Sequence, residues 1–166
     1  QDGDDSLNGE DGQDRVDGGP GNDSLKGGSD DDFLFDFNGF NTIEGGDGND
    51  LMFGGQDPDL ILGNTGDDLI SGQSGDDTLS GGPGQDTVSG ETGADSVIGG
   101  RGQDSINGGA GRDTLDGGDD DIGIHVVVIG HHNAHFIRKV REEPPCFLNG
   151  LFDQLPTVCQ DKSALA

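Results

Sequence analysis

A single large aliphatic residue recurs at every ninth position through the first three quarters of the chain. When blocks of nine are counted from Gly9, twelve full blocks follow one another to residue 116 without an insertion or deletion. The eighth position always holds an apolar residue: Val16, Leu25, Leu34, Ile43, Met52, Ile61, Ile70, Leu79, Val88, Val97, Ile106 and Leu115. Most residues on either side of it are polar. One apolar residue between polar neighbours is the pattern of a short strand with one inward side chain.

The first six positions of each block favour a tight turn. Gly occupies the first position except at Asp36, and the fourth position except at Asp30 and Asp57. The sixth position is Asp in eleven of the twelve blocks, and Asn41 is the exception. Glycine permits the positive φ and close backbone approach that such turns need. One block then makes half a coil, so we predict an all-β fold over residues 1–124, a right-handed parallel β-roll.

Charge is concentrated in the repeats. Residues 1–124 hold 30 acidic and four basic side chains, which accounts for the whole formal charge of −26. Such a surface repels nucleic acid and anionic membranes and attracts cations. A chain with 34 glycines and so much charge would read as disordered on composition alone, but disordered linkers have no reason to keep an aliphatic residue every nine positions.

The sequence contains no transmembrane run and no leader peptide. It begins at Gln1, partway into a repeat, so we expect the chain to be a fragment of a longer protein.

The block consensus GGxGxDxUx, in which U is a large aliphatic residue, resembles the RTX or hemolysin-type calcium-binding nonapeptide repeat. The clearest copies are GGPGNDSLK at 18–26, GGPGQDTVS at 81–89, GGRGQDSIN at 99–107 and GGAGRDTLD at 108–116. The resemblance covers residues 1–117. It implies several bound Ca²⁺ ions, a secreted or extracellular protein, and folding that depends on calcium.

Calcium needs six to eight oxygen ligands, which one turn cannot supply but two stacked turns can. Turns on the same side of the roll are 18 residues apart. One row therefore contains Asp14, Asp32, Asp50, Asp68, Asp86 and Asp104, and the other contains Asp5, Asp23, Asn41, Asp59, Asp77, Asp95 and Asp113.

The family resemblance implies the backbone part of each calcium shell. The upper turn gives the carbonyls of its first and third residues, the lower turn gives those of its second and fourth residues, and each turn adds its Asp. The carbonyl ligands implied in this way are Gly63, Thr65, Gly72, Ser74, Gly81, Gly82, Pro83, Gly84, Gly90, Thr92, Gly93, Gly100, Gly102, Gly109 and Gly111. Sites that use Asp36, Asn41 or Asp57 depart from the consensus, and we expect them to be weaker or empty.

Some outward strand positions are apolar where the repeat should be polar. Phe33, Phe35, Leu51, Phe53 and Leu69 fall on neighbouring strands of one predicted sheet, and Leu60 and Leu62 fall on the other. We expect the first group to form an exposed apolar patch. A missing domain or partner docking there and cover by the chain's own tail are equally good interpretations.

Residues 125–166 differ in kind from the repeats and form a predicted C-terminal cap or tail, small and irregular or mixed in structure. Residues 124–129 are β-branched and favour a capping strand, and residues 131–143 favour a helix that ends at Pro144. His131 and His135 have the spacing of zinc ligands on a helix, but no Glu follows His131 as a zincin requires, so we interpret them as structural or incidental. Cys146 and Cys159 would be able to pair in an oxidising compartment.

No nucleophile with a base, and no other catalytic constellation, stands out in these residues, so we predict that the chain is not itself an enzyme. The leading hypothesis is a calcium-binding folding and export module. One alternative is the accessory C-terminal domain of a secreted protease or lipase whose catalytic domain lies elsewhere. Another is an adhesin segment, although the third turn position carries no regular Thr or Asn array.

Overall fold

A computed structural model describes residues 3–118, together with the backbone of two short strands at 126–128 and 137–138. All regular structure in this part is β. The strands are β1 Ser6–Asp11, β2 Arg15–Asp17, β3 Ser24–Ser29, β4 Phe33–Phe35, β5 Thr42–Asp47, β6 Leu51–Gly55, β7 Leu60–Thr65, β8 Leu69–Gln73, β9 Thr78–Pro83, β10 Thr87–Ser89, β11 Ser96–Arg101, β12 Ser105–Asn107, β13 Thr114–Gly118, β14 Val126–Val128 and β15 Ile137–Arg138.

The strands form two parallel sheets, and successive strands along the chain belong alternately to one sheet and to the other. One sheet has the order β1-β3-β5-β7-β9-β11-β13-β15, and the other has the order β14-β12-β10-β8-β6-β4-β2. From β1 to β13 every pair is in an 18-residue register, as in Ile43 with Ile61 and Val88 with Ile106. The predicted β-roll, with two nonapeptide half-turns per coil, is therefore confirmed.

One inward side chain between two polar neighbours corresponds to a strand of three residues, and this length is observed in only part of the roll. It holds for β2, β4, β10 and β12, but β6 and β8 have five residues, and the strands of the other sheet have six from β1 to β11. In these longer strands the ladder continues into the next block, as where Asp47 pairs with Thr65. The coils are equal in length, so the backbones stay aligned beyond the aliphatic residue.

The core is a single column of the eighth-position side chains between the two sheets. All twelve are buried, from Val16 at 8% exposed to side chains such as Ile61 and Met52 at 0%. Leu7 of the preceding block packs against this column. Burying an aliphatic side chain contributes about 1.5–3 kcal/mol, and each coil of the roll contributes only two of them. The turns must therefore supply much of what stabilises the stack.

The repeat register ends after β13. Ser105 pairs with Val126 and Leu115 pairs with Ile137, so these last pairings span 21 and 22 residues instead of 18. The backbone of the predicted capping strand is confirmed at β14. The helix predicted over 131–143 is wrong at Ile137–Arg138, which pair as a strand with β13. His131, His135, Cys146 and Cys159 lie outside the described residues. Within the described residues, no helix has the length and apolarity needed to cross a bilayer.

Candidate metal centre

The sixth-position Asp side chains stack in two rows, one along each side of the roll, as the 18-residue spacing predicts. From Asp23 to Asp113 they are buried, with no more than 4% of any of them exposed, and Asp5 and Asp14 at the first coils are half-buried. Asn41 occupies the equivalent place in its row and is 3% exposed. Acidic side chains are almost never buried without a partner, so these rows mark the centre of the molecule's chemistry.

One oxygen of each carboxylate builds a ladder between coils. Oδ1 accepts the backbone N–H of the sixth-position residue in the preceding coil, as where Asp86 accepts from Asp68 and Asp77 accepts from Asp59. These distances run from 2.7 to 3.1 Å along both rows. The Oδ1 ladder holds each carboxylate in a fixed orientation.

In most of these carboxylates the second oxygen is buried without a hydrogen-bond donor. This is true of Oδ2 in Asp14, Asp23, Asp32, Asp50, Asp59, Asp68, Asp77, Asp86 and Asp95 of the two rows, and also of Oδ2 in Asp36 at the first position of its block. Nearly all buried polar atoms in proteins have a partner, and a buried ionised oxygen is especially costly without one. Ordered rows of such oxygens require a positive charge or a proton beside them.

Burial changes the protonation of these groups. It raises the pKa of Asp59 and of Asp68 to about 7, and the neighbouring Asp charges add to the shift while a backbone hydrogen bond opposes it. The pKa of Asp86 and that of Asp95 rise to about 6 for the same first reason, burial. Without a cation, these four side chains therefore favour the neutral carboxyl at mildly acidic pH.

The first-position glycines leave space beside these oxygens. A Cβ on Gly63 would collide with Oδ2 of Asp68 and with the carbonyl oxygen of Gly81, which belongs to the next coil. A Cβ on Gly81 would lie against Oδ2 of Asp86 and 2.6 Å from the carbonyl oxygen of Gly99. Gly63 and Gly81 do not have positive φ, so they are needed for space and not for backbone freedom. Each turn therefore encloses a small space lined by carboxylate and carbonyl oxygens.

The second- and fourth-position glycines bring successive turns into close contact. A Cβ on Gly82 would strike the carbonyl of Asn64, and a Cβ on Gly84 would strike that of Gly66. The other second- and fourth-position glycines predicted as ligands follow the same pattern, namely Gly100, Gly102, Gly109 and Gly111, and Gly93 meets the carbonyl of Gly75. The structure thus brings together the backbone segments of the predicted shells.

The third-position carbonyls also take part in the stack. Those of Thr65, Pro83 and Thr92 accept the N–H of a fourth-position glycine in the preceding coil at 2.9–3.0 Å. Ser74 and Thr92 form an isolated bridge and share a 3.1 Å hydroxyl hydrogen bond, and Gly72 lies against Oδ2 of Asp77. Each carbonyl keeps a second lone pair, and its binding to calcium stays a prediction.

Fifth-position side chains form a second ladder that the sequence analysis missed. Asp67 Oδ1 accepts the N–H of Gln85 at 2.8 Å, and Asp76 Oδ1 accepts that of Ala94 at 2.8 Å. The direction is opposite to that of the Oδ1 ladder, since here the acceptor lies in the earlier coil. The signal in the sequence is the frequent Asp or Asn immediately before the sixth-position Asp, as in the pairs that begin at Asn22, Asp31 and Asn49.

The ligand chemistry fits a hard cation. Residues 3–118 contain no His or Cys, and among them no cluster of three or more His, Cys, Asp or Glu side chains converges on a metal position. Each site would therefore combine a pair of carboxylates with backbone carbonyls. All-oxygen shells of this kind suit Ca²⁺ or Mg²⁺ and not the zinc and copper ions that prefer nitrogen or sulfur.

The turns at 36–41 and 54–59 differ from the rest. Asp36 is fully buried where other blocks have Gly, and the pKa of its carboxyl rises to about 6 because of burial and the nearby Asp23. Asp57 replaces a fourth-position Gly, and its Oδ2 accepts the N–H of Gly39 at 3.0 Å. Asp30, the other substitution of this kind, adopts the left-handed backbone itself with φ of 78°.

The five apolar residues predicted to share a sheet do so. Phe33 pairs with Leu51, and Leu51 pairs with Leu69. The prediction that the whole patch is exposed is wrong for Phe35, which is 5% exposed because it stacks on Phe33 at 5.0 Å and lies 4.3 Å below the Arg15 guanidinium. Phe33, Leu51 and Phe53 are half-buried, whereas Leu69 is 47% exposed.

On the other sheet, Leu60 is 37% exposed and Leu62 is half-buried. Docking of a domain or partner on the sheet that carries Phe33, Phe35 and Phe53, which we call the aromatic sheet, stays a prediction.

Comparison with known families agrees with this geometry. The family model for the RTX calcium-binding nonapeptide repeat matches the chain in four copies, at residues 1–34, 26–61, 53–88 and 89–121. A comparison with curated proteins found no match. The four copies span the two Asp rows and the aliphatic column and cover more than half of the chain, so this protein belongs to the RTX calcium-binding nonapeptide repeat family.

Proposed function

We propose that this chain is a calcium-dependent folding module of a secreted protein, in which Ca²⁺ ions between stacked turns complete the fold. The observation that carries the proposal is the two rows of buried carboxylates whose Oδ2 atoms have no donor, as in Asp50, Asp68 and Asp77. Each ion would neutralise two of these charges and join two coils. Calcium-binding free energy would then be folding free energy, as in other small metal-dependent domains.

The forces in the roll support this coupling. The aliphatic column is one residue wide, and the formal charge of −26 opposes compaction. Extracellular calcium modules have dissociation constants of about 10⁻⁴–10⁻³ M. Cytosolic calcium would leave such a site empty and extracellular calcium would fill it, so the chain would cross a membrane unfolded and fold outside. Secretion of the parent protein is the expectation that follows.

The test is a calcium titration of the whole chain, followed by circular dichroism and by hydrodynamic radius. In excess chelator we expect an expanded chain with little β signal, and in millimolar calcium a compact roll. Mg²⁺ at the same concentration is the matched control, since it demands stricter octahedral geometry and should fold the chain poorly. A chain that keeps its β signal and radius in chelator would contradict the proposal.

The activity of the parent protein is a separate question. Catalysis by a protease or lipase domain elsewhere in the parent is the alternative that the family resemblance raised, and the sequence on either side of this chain would decide it. The adhesin hypothesis finds less support, because the outward positions of the aromatic sheet are apolar at Leu51 and Leu69 instead of forming a polar array.

A further inference from the structure

The block that begins at Asp36 departs from the repeat twice in the same turn. Asp36 stands where the other eleven blocks have Gly, and Asn41 stands where the other eleven have Asp. This turn stacks on the turn from Gly18 to Asp23, since Pro20 pairs with Asn38 across them. Asn41 on its own would leave this pair of turns one negative charge short of the usual two carboxylates.

Asp36 directs its carboxylate into this stack. Its side chain is 0% exposed, its Oδ1 accepts the backbone N–H of Asn38 at 3.1 Å, and its Oδ2 has no hydrogen-bond donor. A Cβ on Gly18 would collide with Oδ2 of Asp36 and would lie 2.6 Å from Oδ2 of Asp23. Two buried carboxylate oxygens without hydrogen-bond donors, one from Asp36 and one from Asp23, therefore lie close to the same point.

Asn41 meanwhile keeps the structural role of the missing Asp. Its Oδ1 accepts the N–H of Asp23 at 2.9 Å, so the Oδ1 ladder continues through it. Its Nδ2 donates to the carbonyl of Gly39 at 3.0 Å. The amide group thus occupies the place of the second carboxylate oxygen but brings a donor and no charge.

We propose that Asp36 supplies the carboxylate that Asn41 lacks, so that Asp23 and Asp36 together hold a calcium ion between these two turns. The proposal rests on the proposed function and replaces the expectation that this site is weak or empty. Two carboxylate oxygens so close would repel each other unless a cation or a shared proton lies between them, and a cation also neutralises both charges. The site would differ from its neighbours in taking a side-chain oxygen from the first position, where they offer only backbone.

The experiment counts the calcium ions bound per chain at saturation, by calorimetry and by equilibrium dialysis with elemental analysis. Asp36→Asn keeps the size of the side chain and removes its charge, and we expect it to bind one ion fewer than the unaltered chain. Asp17→Asn removes the same charge from an exposed strand position and should keep the full count. A full count with unchanged affinities in Asp36→Asn would overturn the proposal and indicate a shared proton instead.

A second pair of variants separates the site from general stability. Asp36→Gly should also lose one ion, and Asp36→Gly with Asn41→Asp should regain it, because the double variant restores the consensus turn. If Asp36→Gly alone keeps the full count, the proposal is wrong. Circular dichroism in calcium checks that every variant folds. An unaltered chain that binds no calcium would overturn the proposed function as well, whereas a full count in Asp36→Asn overturns only the role of Asp36.

Discussion

Asp86 lies in the middle of its row, so replacing it tests the metal sites most directly. Its Oδ1 accepts the N–H of Asp68 at 2.9 Å, and its own N–H donates to Oδ1 of Asp104 at 3.0 Å. Its turn would share one ion with the turn that begins at Gly63 and another with the turn that begins at Gly99. Asp86→Asn keeps the Oδ1 acceptor and removes only the charge, so it weakens two sites without breaking the ladder.

The size of the effect follows from mass action. An ion present at 100 times its dissociation constant stabilises the folded state by about 2.7 kcal/mol, so losing two ions would remove about 5 kcal/mol. Domains are typically stable by about 5–15 kcal/mol in total. We therefore expect Asp86→Asn to raise the calcium midpoint of folding strongly and to lower the Tm in saturating calcium.

In chelator the same substitution should act in the opposite direction. Burial raises the pKa of Asp86 to about 6, and the charges of Asp104 and Asp67 add to the shift, so at pH 7.5 the ionised carboxylate is unfavourable in the metal-free roll. An amide at this place removes that cost. Any residual β signal in chelator should therefore increase in Asp86→Asn.

The assay is circular dichroism across a calcium titration, with calorimetry for the number of ions. Asp17→Asn is the matched control, because it removes one exposed carboxylate and changes the net charge equally. Equal midpoint shifts in the two variants would mean that charge alone matters. The assignment of Asp86 to two sites would then be refuted.

Three further predictions test the turns and the core. The pKa of Asp59 and that of Asp68 are raised to about 7 in the metal-free roll but lie near 4 in the unfolded chain, so the metal-free roll should gain stability as pH falls from 7 to 4. Calcium binding should release protons and should weaken as pH falls from 7.5 to 5.5. Calcium midpoints that do not depend on pH would contradict this. Gly63→Ala should abolish a calcium site because its Cβ would fill the space beside Asp68 Oδ2. Gly12→Ala is the control: no atom lies within 4 Å of the added Cβ, so it should cost about 1–3 kcal/mol of backbone strain and keep the ion count measured by calorimetry. Ile61→Ala should lower the free energy of unfolding in calcium by about 2–5 kcal/mol, and Leu60→Ala by less than about 0.5 kcal/mol; equal denaturation midpoints would refute the single-column core.

The period of the sequence was sufficient to predict the register, the core and both Asp rows. No residue is inserted or deleted over twelve blocks, so each Asp could be assigned to a row by counting, and the aliphatic column followed in the same way. The direction of the backbone ladders could not be read from a one-dimensional pattern. Neither could the division of each carboxylate into one oxygen that accepts a backbone N–H and a second that is buried without a donor. They depend on which way each turn faces its neighbour.

The predictions from sequence failed at positions where a side chain departs from the repeat. The burial of Phe35 results from its contacts with Phe33 and Arg15, which are 4.3–5.0 Å away and belong to other strands or positions. The inward direction of Asp36 was equally hidden, because the consensus has no side chain at that position to compare with. In both cases a neighbour across the sheet or the turn contributes to the outcome, Arg15 for Phe35 and Asp23 for Asp36.

The strict 18-residue pairing restricts how the gene can change in length. Duplicating two adjacent blocks adds one complete coil, and every later residue keeps its sheet and its row. Duplicating a single block would also leave an intact repeat, yet it would transfer everything after it to the opposite side. If the duplicated block lay between Phe53 and Asp68, Leu69 would leave the sheet that carries Phe33 and Phe53, and Asp68 would move to the other row. Copy number in such a gene should therefore drift in steps of 54 nucleotides wherever one face of the roll is under selection.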